Sequence, residues 1–269
     1  MGTDGSVDGL MVAESGGALR LTLNRPEARN AVDDVTLAAL VEQVEAARRR
    51  GDLRVILVSS VGEHFCAGID LSGAEARRDR AARVGHIQRS LHSGAHRLTL
   101  ALSEVQLPVV AAVRGWCAGL GLHLALAADL VVASRTARFW EPFTTRGFTP
   151  DGGGTWMLPR LVGVARAKEM LLLGRPVGAD EAAEWGMIHE AVDDAELEPA
   201  AEALVARLAD AATVAVGLTK WLVNRSLEVD LADALAHEAF VEELALRSPD
   251  FKEGIAALRE RRPPRFEGR

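Results

Sequence analysis

Five consecutive apolar residues, Val109 to Val113, stand behind Pro108 and run directly into a glycine-rich turn. A short, β-branched run of this kind predicts a strand buried on both faces. The turn reads Arg114-Gly115-Trp116-Cys117-Ala118-Gly119-Leu120-Gly121. After it, Leu122, Leu124, Ala125, Leu126, Ala127 and Ala128 predict a buried helix that stops near Asp129. A strand that breaks at glycines and restarts as a helix leaves unpaired backbone N–H groups at the helix start. With the helix dipole, those groups favour negative charge. The same glycines also suit plain close packing of helix on strand, and spacing alone leaves both readings open.

The flanking sequence sets the fold class. Leu19, Leu21 and Leu23 alternate with Arg20, Thr22 and Asn24 behind Gly16-Gly17, which predicts a hairpin with the preceding apolar stretch. Asp33 or Asp34 can cap a helix with Val35, Leu37, Leu40, Val41 and Val44 on one side. Another strand is predicted from Leu53 to Ser59, and the alternation of strand and helix points to an α/β architecture. Residues 72–106 read as one long helix, with Val84, Ile87, Leu91, Ala95, Leu98, Leu102 and Val105 as its buried face. His86, His92 and His96 lie on its polar side, and only the last two share a helical face, so no metal site is expected. Past Thr155 the pattern turns largely helical, and the change to all-helical near residue 200 is the candidate boundary.

Composition narrows the function classes. The 269 residues suffice for one large domain with an appendage, or for two domains. A net charge of −7 argues against general nucleic-acid binding. No apolar run is long enough to span a bilayer, and Met1 to Leu10 is acidic and glycine-rich rather than a secretory leader. A cytoplasmic protein with no membrane partner is expected. Cys66 and Cys117 are too few for a disulfide scaffold and sit inside the glycine-bearing motifs as small apolar fillers. No dinucleotide fingerprint, phosphate loop or metal cluster appears, so no cofactor is expected.

Four motifs occur in order along nearly the whole chain: Asn24-Arg25-Pro26 with Asn30-Ala31, Phe65-Cys66-Ala67-Gly68-Ile69-Asp70-Leu71, Gly115 to Gly121, and Asp151-Gly152-Gly153-Gly154-Thr155. Together they resemble the crotonase (enoyl-CoA hydratase/isomerase) superfamily. The segment Thr155-Trp156-Met157-Leu158-Pro159-Arg160 is similar to the phenylacetate-pathway isomerase subgroup. The resemblance implies a spiral core of ββα turns over residues 1–200. It also implies a helical trimerisation region over residues 201–269, and hence a homotrimer or a dimer of trimers. It implies an acyl-CoA thioester as substrate, with its carbonyl oxygen between the N–H groups of Ala67 and Leu120. Two such donors stabilise an enolate and acidify the carbon beside the thioester. Arg29 matches a basic position that contacts CoA. Gly68, Ile69 and Asp70 should lie along the CoA, and Trp116, Gly119 and Phe143 around the acyl group.

The same register shows a departure from the hydratases. Their two glutamates fall at His123 and Phe143 here. Addition of water needs one group for the water and one for the α-proton, and phenylalanine serves neither. Members that shift double bonds carry an aspartate where this chain has Asp151. The resemblance therefore implies isomerisation through an enolate, with Asp151 as proton shuttle and His123 as a secondary candidate. Hydratase activity, or acyl-CoA binding with lost chemistry, are the rival readings. An aspartate ahead of a helix also suits N-capping, and that reading of Asp151 stays open at this level. Glu141, beside Pro142, is expected in a surface salt bridge.

Overall fold

The computed structural model describes residues 5–7, 9–72 and 83–269. Strand β1 (Gly5–Val7) pairs antiparallel with β2 (Leu10–Ser15), which turns at Gly16-Gly17 into β3 (Ala18–Leu23). Asp33 caps α1 (Asp34–Ala47), its side chain accepting from the Thr36 N–H at 2.8 Å. From β3 onward the sheet is parallel: β4 (Val55–Ser60), β5 (Val109–Val113), β7 (Leu130–Ser134) and β10 (Glu190–Val192) follow in that spatial order. A smaller sheet orders β6 (Trp116–Ala118), β8 (Arg138–Trp140) and β9 (Val177–Gly178). The mixed α/β class and the C-terminal helices are as the sequence predicts.

Both faces of the main sheet are covered, which explains why β5 is apolar at every position. Ile56, Val58, Val109, Ala111 and Val113 join one core with α1, α3 (Ala95–Glu104) and α4 (Leu120–Leu126). Val55, Leu57, Val110, Ala112 and Val132 face the other way, against Leu197, Ala201 and Val205 of α7 (Leu197–Ala209). Helix α7 thus runs through residue 200 and belongs to the packing of the sheet.

The expected long helix over 72–106 is broken. Residues 73–82 lie outside the described residues, and the rest forms α2 (His86–Ser93) and α3, separated at Gly94. A side chain at Gly94 would stand 2.9 Å from Leu37 Cδ2, so glycine lets the segment pack closely on α1. Ala95, Leu98, Leu102 and Val105 are buried as predicted, but Val84 and Ile87 are exposed.

Helix α5 (Gly154–Leu173) bends at Gly163 and leads to α6 (Ala179–Glu184). Three further helices follow α7: α8 (Thr213–Ser226), α9 (Leu231–Ala245) and α10 (Pro249–Glu260). Lys220 ties α8 to the core, its Nζ donating to the carbonyls of Leu102 at 2.8 Å and Leu107 at 3.2 Å and pairing with Asp129 Oδ2 at 2.8 Å. Among the described residues, no helix is long and apolar enough to cross a membrane.

Candidate active site

The loop after β4 and the turn before α4 meet side by side. Cys66 and Cys117 form a parallel bridge, and a side chain at Gly68 (φ 105°) would meet the Ala118 carbonyl at 3.1 Å and the Leu120 nitrogen at 3.8 Å. Glycine is therefore required at 68 for both its backbone angle and the close approach. Accounting for the loop's N–H groups shows which are free. Cys66 donates to the Trp116 carbonyl at 3.0 Å, Ala67 to the Arg29 carbonyl at 3.0 Å, and Asp70 to the Val32 carbonyl at 2.9 Å. Gly68 N–H lies 3.4 Å from Cys66 Sγ. Ile69 alone in this stretch has no acceptor among the described residues. On the facing turn, Gly119 donates to the Trp140 carbonyl, while Leu120 opens α4 and has no acceptor within the helix. Ala67, the expected thioester donor, has its N–H engaged in this bond. Its N–H holds the loop to Arg29, and the free donor lies two residues on, after the glycine.

His123 and Glu141 are both 0% exposed, with His123 Nε2 3.0 Å from Glu141 Oε1. Glu141 is therefore no surface residue, contrary to the sequence expectation. Nothing in sequence links two groups that meet because β8, which ends just before Glu141, pairs with β6, which leads into α4. Phe143 is buried and stacks on the His123 ring, with centroids 5.6 Å apart and planes 4° apart. Its far edge faces the turn before α4, since a side chain at Gly119 would meet Phe143 Cζ at 3.6 Å. The phenyl ring thus closes one face of the histidine ring.

Asp151 precedes the Gly152–Gly154 turn that lies on this pair. Its side chain does not cap α5, because the cap residue is Gly153, which makes no side-chain capping bond. The capping alternative is removed. Asp151 is half-buried, and desolvation raises its pKa above the usual carboxylate value, with His123 and His96 pulling the other way. A carboxylate of this kind is a stronger base than a solvated one. Thr99 Oγ1 donates to the Gly152 carbonyl at 2.9 Å and pins the turn from α3.

The remaining expected residues divide into supports and lining. Asp70 accepts from Arg25 Nη2 at 2.9 Å and from the Ser72 N–H at 2.9 Å, and these bonds, the Ser72 ones foremost, hold its carboxyl down to about 2. It fastens the loop that carries Ile69. Arg29 is exposed and sits in left-handed backbone (φ 53°), its guanidinium without an ion-pair or hydrogen-bond partner among the described residues. Trp116 packs against Trp140 with ring centroids 5.5 Å apart and lines a neighbouring cavity of about 630 Å³ shared with His64, Arg114 and Arg138. Both cysteines are fully buried, and burial pushes the Cys66 thiol up to about 12, so neither is a ready nucleophile. Among the described residues, no group of three or more His, Cys, Asp or Glu side chains could hold a metal ion.

Two adjoining glycine turns, each with an N–H that has no acceptor among the described residues, coincide with a sequence match. The enoyl-CoA hydratase/isomerase family profile matches residues 13–269. The chain belongs to the enoyl-CoA hydratase/isomerase family. It is 38% identical over 253 residues to 1,2-epoxyphenylacetyl-CoA isomerase of Escherichia coli (strain K12), covering 94% of this chain and 96% of that protein. It is 41% identical over 257 residues to a probable enoyl-CoA hydratase of Rhodobacter capsulatus, covering 95% and 96%. The crystal structure of a putative enoyl-CoA hydratase/isomerase from Mycobacterium abscessus superposes with a TM-score of 0.91 at 34% identity, covering 97% of this chain and 100% of that one. Crotonase membership and the α/β core with its C-terminal helices are thus established for this chain.

Proposed function

We propose that this family member isomerises an enoyl-CoA thioester through an enolate, by a double-bond shift or a related rearrangement. The observation that carries the reading is the set of groups available for proton transfer. Asp151 is half-buried beside the turn, while Phe143 occupies the place of a second acid/base group. One carboxylate suffices for isomerisation, since it lifts a proton from one carbon and returns it two carbons away. The N–H groups of Ile69 and Leu120 are the donors assigned to the thioester oxygen, where developing negative charge is stabilised. Arg29, Gly68 and the backbone about Asp70 serve the CoA, and Gly119, Trp116 and Phe143 the acyl side. No cofactor enters this scheme, because the thioester itself is the electron sink.

The rival reading is hydration, favoured by the name of the Rhodobacter capsulatus relative. Against it, His123, which stands at the first glutamate position, has no exposed surface from which to meet water. Replacing Asp151 by Asn separates the readings. Turnover of a 3-enoyl-CoA should fall by about 10²-fold or more, with thioester affinity kept. Full turnover in that variant would contradict the assignment. Wild-type binding of the thioester without any turnover would support a binding protein instead.

The assembly belongs to the same proposal. Val223, Leu227, Leu231, Leu235 and Phe240 on α8 and α9 are exposed, and surfaces of this kind usually meet a partner. A homotrimer or dimer of trimers would cover them. The helical oligomerisation region then begins after α7, near residue 210, because α7 packs with the sheet.

A further inference from the structure

Behind the Asp151 turn lies a closed polar pair that the scheme above does not use. His123 and Glu141 share one hydrogen bond, and each keeps one buried polar atom, Nδ1 and Oε2, without a partner. A buried unpartnered polar atom is costly and calls for a reason. The neighbouring glycines show where the free nitrogen points. A side chain at Gly152 would stand 2.2 Å from His123 Nδ1, and one at Gly154 would stand 2.5 Å from both His123 Nε2 and Glu141 Oε1. The ring edge therefore abuts the backbone next to Asp151, and Phe143 closes one ring face. The hydrogen bond from Nε2 to Glu141 leaves Nδ1 as the nitrogen on the Asp151 side. Asp151 directly precedes Gly152, whose backbone the ring edge abuts.

We propose that Glu141 and His123 are positioning residues for Asp151. His123 Nδ1 accepts a hydrogen bond from the Asp151 carboxylic acid formed during the reaction, and Glu141 holds the ring in the tautomer that allows it. The inference rests on the reading of Asp151 as the base. The proton count is closed. The Asp151 carboxylate lifts a proton from the acyl carbon, and the C–H electron pair moves into the thioester as the enolate. The proton stays as the Asp151 O–H, held toward Nδ1. It then returns to the second carbon, where the enolate electrons form the new C–H bond. Nε2 keeps its own proton toward Glu141 throughout. An acceptor left empty in the resting enzyme and filled in the intermediate stabilises the intermediate selectively, which is the form of binding that raises kcat. It also shields the transferred proton from exchange with solvent.

The test uses His123→Gln, Glu141→Gln, Asp151→Asn and the double variant His123→Gln/Asp151→Asn, each assayed on a 3-enoyl-CoA in H2O and in D2O. Gln at 123 keeps a donor for Glu141 and loses Nδ1. Gln at 141 is isosteric, so it keeps the test open should the first variant fail to fold. His123→Gln and Glu141→Gln should each lower kcat by about tenfold while KM stays within about twofold. Both should carry more solvent deuterium into product than wild type, which a purely structural role would not produce. On the Asp151→Asn background, His123→Gln should cause no further loss, because it acts through Asp151. Wild-type kcat and deuterium content in both single variants would overturn the relay, as would a loss that multiplies in the double variant. Full turnover in Asp151→Asn would overturn the underlying reading as well, so the two failures are distinguishable.

Discussion

At Asp151, burial works against charge, whereas at Asp70 hydrogen bonds work for it, and the two carboxylates should respond oppositely to pH. The Asp151 pKa is raised above 3.8, chiefly by desolvation. Its base form is therefore lost at higher pH than for a solvated aspartate, and the acid limb of kcat/KM should lie above pH 3.8. For stability the sign reverses. A raised carboxyl pKa stabilises the folded state while protonated, and that contribution is lost as pH rises through the folded value. Asp151→Asn should accordingly raise the Tm at neutral pH, as thermal melts can check. Asp70 is held at about 2, so its contribution is present above 3.8 and is lost as pH falls toward 2. Asp70→Asn should lower Tm at pH 7, with the difference closing in acid. Gly152→Ala would place a methyl 2.2 Å from His123 Nδ1 and push the turn outward. A displacement of about 1 Å at a reacting group can cost about 10²-fold in rate, and steady-state assays of this variant should show a loss of that order. The glycine turn after Asp151 and the helix that carries His123 were legible because each sits within a motif of fixed spacing. Glu141 was not, because its partner is 18 residues away and only the pairing of β8 with β6, the strand that leads into α4, brings them together.

At the scale of elements, apolar periodicity located the strands and helices well wherever one face is buried. Strand β5 and α1 lie where their apolar patterns place them, and the chain past Thr155 is largely helical, as expected. The expected helix over 72–106 failed for a reason specific to Gly94. Its packing against Leu37 is a tertiary contact, and a helical period continues through a glycine without registering it. The hydrogen bonding of the loop about Gly68 is hidden from sequence for a similar reason. Ala67 and Ile69 flank the same glycine, and which N–H is free depends on the Arg29 carbonyl, brought near by the left-handed turn at Arg29 and Asn30. The tether of α8 is equally invisible in sequence. Lys220 is 7% exposed and satisfies Asp129 and two carbonyls. Lys220→Met would leave Asp129 without its cation and two carbonyls without their donor, and with Asp129 partly open to solvent the loss should be about 1–3 kcal/mol. Chemical denaturation should show that loss, while thioester turnover below the transition stays close to wild type.

For the whole molecule, a closed α/β core contrasts with helices whose apolar side chains stay in solvent. Val223, Leu227, Leu231, Leu235 and Phe240 are each at least half exposed, at 59%, 54%, 74%, 54% and 69%. Light scattering at micromolar concentration should return three or six times the chain mass, and a stable monomer would contradict the proposed assembly. The central claim concerns chemistry, namely that one half-buried carboxylate and two backbone donors favour moving a proton over adding water. The most direct measurement compares, for the wild-type protein under one set of conditions, kcat/KM for isomerisation of a 3-enoyl-CoA with kcat/KM for hydration of the matching 2-enoyl-CoA. Isomerisation should be faster by about 10²-fold or more, the usual worth of one general acid/base group. Hydration at an equal or greater rate would contradict the account.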